Sequence, residues 1–146
     1  MSQEVEIKTI KPFGPAIAKV SIPKKILHEL NTYIDNLIED EKKSKEQDHG
    51  YSLVGNVKQE IKLEDKIIED SRWKEFLKKC ISIWIESITR KKINEFKLID
   101  SWVVRQFQNE YNPAHWHNGH VSGAGFLKVP SNFGQTIQKN KRINQN

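Results

Sequence analysis

Three of the chain's five histidines fall within the run His115-Trp116-His117-Asn118-Gly119-His120. Imidazole nitrogen binds iron, zinc, copper and nickel, so this spacing points first to metal chemistry and does not by itself choose the metal. In an extended segment residues i and i+2 project to the same side, which turns His115 and His117 toward one point and Trp116 away from it. Two converging imidazoles are half of a metal site. The third ligand must come from His120 or from a distant segment. A facial set of two histidines and one carboxylate holds iron and leaves positions open for a cosubstrate and oxygen. His120 follows the Asn118-Gly119 turn and breaks the two-residue register, which ranks it below the other two. The competing reading is that these rings only hydrogen-bond within a loop.

A loop rich in glycine and proline needs a scaffold on both sides. Upstream, Phe96 to Phe107 is β-branched and aromatic with no helical period, and reads as a strand. Leu98, Trp102 and Val104 fall on one face of it, and Ile99, Val103 and Phe107 on the other. Asp100, Ser101 and Arg105 interrupt both faces, which marks a polar cavity along part of one. Trp102 and Arg105 are therefore candidates to line a pocket, against the plainer roles of core tryptophan and paired surface arginine. Downstream, Gly123 to Val129 reads as the next strand.

Earlier in the chain, residues 4–9 and 15–21 read as short strands. Pro23 suits a first helical position, and Ile26, Leu27, Leu30, Tyr33, Ile34, Leu37 and Ile38 then trace one stripe on a helix of about 20 residues. Partial alternation at Val57, Gln59, Ile61 and Leu63 suggests a further short strand. A second helix is capped by Asp70 or Ser71 and buries Trp73, Phe76, Leu77, Cys80, Ile81, Trp84 and Ile88. Cys80 inside that stripe reads as a small buried hydrophobe. Strands followed by helices and more strands make the class α+β.

The totals exclude several functions. At 146 residues the chain suits a single domain with a core of its own. One cysteine rules out an internal disulfide framework and favours a reducing, cytoplasmic setting. No apolar run approaches the roughly 18 to 20 residues that span a bilayer, and the N-terminus lacks a secretory layout. The sequence pI is about 9.2, yet residues 128–146 carry Lys128, Lys139, Lys141 and Arg142 and no acid. Taking that +4 from the net +5 leaves +1 for residues 1–127. The basic excess is a polar tail and not a charged face, which argues against a nucleic-acid partner.

Ser101-Trp102-Val103-Val104-Arg105, Glu110-Tyr111-Asn112-Pro113, His115-Trp116-His117, Ser122-Gly123 and Gly125-Phe126-Leu127 resemble the 2-oxoglutarate- and Fe(II)-dependent oxygenase family. The forms most alike are the prolyl 4-hydroxylase-like versions of marine cyanobacteria and their phages. The resemblance runs from about Pro15 to the last residue and includes the Asp48-His49-Gly50 loop. It implies the N-terminal part of a double-stranded β-helix, or jelly roll, with two amphipathic helices packed on the sheet. It implies Fe(2+) as the metal and 2-oxoglutarate as cosubstrate, decarboxylated to succinate while a C–H bond of a protein, peptide or small molecule is hydroxylated. By resemblance His115 is the first ligand, and His117 stands where better-known members carry the aspartate of His-x-Asp. Trp102, Arg105, Tyr111 and Ser122 then line the cosubstrate and substrate pocket.

Members of the family continue beyond the position of Asn146 with strands that bring a distal metal histidine and a basic 2-oxoglutarate anchor. No histidine follows His120 here, and Arg142 has no support as the anchor, so the chain reads as an N-terminal portion. The exposed sheet edges of such a portion favour self-association. The alternative is a non-catalytic α+β module that binds metal or a partner.

Overall fold

The structure, a computed structural model, describes residues 6–11, 14–48 and 57–131. It is mixed α+β: β1 (Ile7–Ile10), β2 (Ile17–Val20), α1 (Lys24–Glu39), α2 (Glu41–Glu46), β3 (Gln59–Lys62), α3 (Asp65–Asp70), α4 (Trp73–Thr89) and β4 (Trp102–Arg105). The strands form two antiparallel pairs, β1 with β2 and β3 with β4. Among the described residues no helix is long and apolar enough to cross a membrane.

The stripe expected on α1 is the centre of the molecule. Ile26, Leu30, Ile34 and Leu37 recur at intervals of three and four and are all buried. They meet Ile61 and Leu63 of the β3 segment, Ile68 of α3, and Phe76 and Cys80 of α4 in one core. Burial pushes the Cys80 thiol above its ordinary pKa, against a smaller opposing pull from Lys79. Ile7 and Val20 face each other across the β1–β2 pair and pack onto the same core, while Ile10 and Ile17 at its far end are exposed.

The helical stretch from Pro23 is shorter than expected and splits in two. Asp40 takes an extended conformation, and its carboxylate accepts the Lys43 backbone N–H at 3.2 Å, which starts α2. That bond holds the Asp40 carboxyl below the ordinary carboxylate range. An aspartate able to cap competes with helix continuation, which is why the break falls there. Pro23 sits just before the first helical residue, its carbonyl accepting Leu27 N at 2.9 Å.

The second long helix also differs at its start. Neither Asp70 nor Ser71 caps α4: Ser71 ends α3, its hydroxyl donating to the Ile67 carbonyl at 2.6 Å. Arg72 turns the chain between the helices in the left-handed region, at φ 60°. The helix α3 has no signature in the sequence, because six residues are too few for the 3.6-residue period to declare itself. Of the α4 stripe only Phe76 and Cys80 are buried, with Trp73 and Leu77 half-buried against the same core. Ile81, Trp84 and Ile88 are half-buried, outside the main core.

Phe96 to Phe107 is a strand only over Trp102–Arg105, and Gly123 to Val129 has no partner strand among the described residues. Each carries strand-forming residues, but a strand exists only where another backbone is close enough to pair. For β4 that partner is β3, in the register Gln59↔Arg105, Glu60↔Val104, Ile61↔Val103 and Lys62↔Trp102.

Ile61 has 0 % of its surface exposed and is the most enclosed of the core residues. Ile61→Ala should lower unfolding free energy in urea by about 2–5 kcal/mol. Ile83→Ala, on the exposed side of α4, should change it by less than about 0.5 kcal/mol. Equal losses would mean that β3 is not the core strand described.

Candidate metal centre

The histidines sit on a long connection that leaves β4 at Arg105 and contains no helix or strand of its own as far as Ser131. Its first turn is tightly made. Phe107 N donates to Glu110 Oε2 at 2.9 Å, Glu110 N donates to the Phe107 carbonyl at 3.2 Å, and Gln106 Nε2 donates to the Glu110 carbonyl at 2.6 Å. Asn109 adopts φ 67° there, a conformation asparagine tolerates better than most residues. Further along, Gly119 has φ 104°, and a Cβ on it would lie 3.1 Å from Ile99 Cδ1. The backbone angle favours glycine, and a side chain there would also push Ile99 aside by a few tenths of an ångström.

Between these turns the two rings converge. His115 Nε2 and His117 Nε2 are 2.9 Å apart, with ring centroids 4.6 Å apart and planes at 89°. Trp116 points away and is 84 % exposed. The i, i+2 logic therefore holds although the segment is a loop and not a strand. His115 Nδ1 lies 2.7 Å from the Pro113 carbonyl. A carbonyl can only accept, so His115 carries its proton on Nδ1 and turns a bare Nε2 toward its partner. Without a metal, His117 Nε2–H must then be the donor across the 2.9 Å gap.

The same spacing suits a shared cation. Metal–imidazole bonds of roughly 2.0–2.1 Å put two nitrogens about 2.8–3.0 Å apart at a right angle and about 3.3–3.4 Å apart at a tetrahedral one. The two nitrogens thus stand close to the separation that one shared ion would require. No group of three His, Cys, Asp or Glu able to hold a metal occurs among the described residues. His120 does not join the pair, so a third donor from this part of the chain is missing.

Trp102 is the only strand residue against the pair among the contacts described, its ring 5.1 Å from that of His117 and tilted by 55°. Arg105 lies on the other face of β4, three positions on, as strand alternation requires. There its guanidinium donates to Gln59 Oε1 at 2.7 Å and stacks over Phe107 at 5.1 Å, while Gln59 Nε2 donates to the buried Ser44 hydroxyl at 2.9 Å. The structure brings Trp102 to the histidines and does not bring Arg105 to them. Tyr111 and Ser122 are exposed on the same loop. His49 and Gly50 lie outside the described residues, whereas Asp48 bridges to Ile61 and accepts Glu60 N at 3.1 Å. The polar residues Asp100 and Ser101 line a different recess, of about 190 Å³, together with Lys62, Asp65, Glu69 and Lys74. Ser101 also accepts the Trp73 indole N–H at 3.0 Å.

The Pro113 carbonyl was missed in reading the residues, although a proline turn two positions before a histidine is a signal that could have found it. No protein-family description, curated protein or solved structure matches the chain.

Ring-nitrogen NMR of the metal-free protein, with the imidazoles neutral, should show His115 protonated on Nδ1 and His117 on Nε2. A proton on His115 Nε2 would break the arrangement described.

Proposed function

We propose that the chain is an iron- and 2-oxoglutarate-dependent oxygenase or the N-terminal part of one, working in the cytoplasm. The observation that carries this is the convergence of His115 Nε2 and His117 Nε2 to 2.9 Å on one accessible loop. His115 and His117 are the residues that would hold Fe(2+). Bound there with 2-oxoglutarate, the metal supplies oxidative chemistry: hydroxylation of a substrate C–H bond coupled to decarboxylation of the cosubstrate to succinate.

The chain's own residues prepare that site. The Pro113 carbonyl fixes the His115 tautomer so that Nε2 is free to bind, the usual role of a hydrogen bond behind a metal ligand. Trp102 covers one side of His117 and keeps water from that side. Tyr111 and Ser122 stand exposed on the loop, accessible to a protein, peptide or small-molecule substrate. Arg105 acts one step back, tying β4 to Gln59 so that Trp102 keeps its place. On the same reading, the two antiparallel pairs and the long helices α1 and α4 belong to the first half of a jelly roll. Two donors on an exposed loop hold a divalent ion weakly, so the binding expected of this chain is modest and its turnover low.

Titration with Co(2+), monitored by visible absorption and by tryptophan fluorescence, tests the proposal. Cobalt should quench tryptophan emission, and Trp102→Phe should reduce that quenching, leaving the part that comes from Trp116 between the two histidines. His115→Ala or His117→Ala should weaken binding by at least about tenfold, the scale of losing a ligand or its support. Adding 2-oxoglutarate should shift the cobalt spectrum. A spectrum indifferent to 2-oxoglutarate, with tightly held zinc, would favour a non-catalytic metal-binding module instead. Binding unaffected by either histidine would remove the metal centre altogether.

A further inference from the structure

The far end of the histidine loop is tied to α1 by contacts that belong to no metal site. Lys128 Nζ reaches both carboxylate oxygens of Asp35, at 2.7 and 2.6 Å. Asn31 Nδ2 donates to the Leu127 carbonyl at 3.2 Å, and the Leu127 side chain packs against the core. Asn31 and Asp35 stand four residues apart on α1, so one helix face presents both to the loop. Before these anchors, the loop meets the body at Gly119 against Ile99 and at Gly125 against Ile22. Lys128 and Asp35 are 62 % and 51 % exposed, so dissolved salt reaches them.

Resting on the metal reading above, we infer that Asp35 and Lys128 form an ionic latch that holds the histidine loop in its metal-competent shape. Ionic strength then sets the affinity of His115 and His117 from a distance. With the latch closed, the loop that runs from β4 through the histidines to Leu127 is fixed at both ends and the rings are already placed. With it open, the metal must order that segment as it binds, and only the latched fraction binds at full strength. Asp35 and Lys128 are thus positioning residues: neither touches the rings, and both act through the backbone of residues 119–127. An exposed pair of this kind shifts such an equilibrium by about two- to fivefold.

The test combines amide hydrogen exchange of the metal-free protein with Co(2+) titration, each at low and at high salt. It uses the full chain, Asp35→Asn, Lys128→Gln, and the charge-exchanged pair Asp35→Lys with Lys128→Asp. Asp35→Asn should speed exchange across residues 115–127, weaken cobalt binding about two- to fivefold and abolish most of its salt dependence. Lys128→Gln should do the same with no further loss when combined, and the exchanged pair should restore slow exchange. Exchange over 115–127 that ignores Asp35 and Lys128, or an exchanged pair that fails to restore it, overturns the latch. Cobalt that binds no variant, with exchange still dependent on Asp35, overturns the metal reading and the affinity half of the inference. The two failures are therefore distinguishable.

Discussion

The burial of Ile61 against the α1 stripe is the contact on which the placing of the histidines rests. A fully buried isoleucine contributes about 1.5–3 kcal/mol of hydrophobic stabilisation, and a one-residue slip of its strand would expose it. The register of β3 is therefore set by the core. That register in turn sets β4, because Ile61 pairs with Val103 and so turns Val103 inward toward the core. Alternation then leaves Trp102 on the outer face, where His117 meets it. A core contact on one side of the sheet thus decides which aromatic residue flanks the histidines on the other.

From β4 onward, order depends on fastenings and not on regular structure. A connection with no ladder of its own must meet its closure and ordering entropy with local contacts. Here these are the Glu110 turn, the Gly119 approach to Ile99, and the attachment of Leu127 and Lys128 to α1. The arrangement leaves His115 and His117 accessible to solvent. The cost is an open site in which water competes with every polar contact.

Charge is largely answered locally around α3. Lys62 pairs with Asp100, Lys66 with Asp70, Lys74 with Glu69, and Arg72 with Glu75. The hydrogen bonds that Lys62, Lys66 and Lys74 donate to these carboxylates hold their ammonium groups above the ordinary lysine pKa. Being solvent-exposed, these pairs add little to stability and are weakened by salt. Their effect is to cancel positive charge around the Asp100–Ser101 recess, which leaves no basic face there for a polyanion.

Hydrophobic periodicity was enough to place both long helices, the core face of α1, the buried Cys80 and the α+β class, because helical repeats are local and need no partner to be read. The i, i+2 spacing was enough to turn His115 and His117 together, since that geometry needs only an extended backbone. Strands and caps were harder: the runs around Phe96 and Gly123 have strand-forming side chains, but pairing is a property of two segments, and only Trp102–Arg105 found one. Asp40, Ser71 and Arg72 mark helix ends that depend on which backbone groups are left unpaired, and propensity alone does not say. Only the tertiary structure brought Trp102 against His117 and Asp35 to Lys128 from ninety-three positions away. Each of these is a contact between groups whose distance along the chain bears no relation to their distance in space.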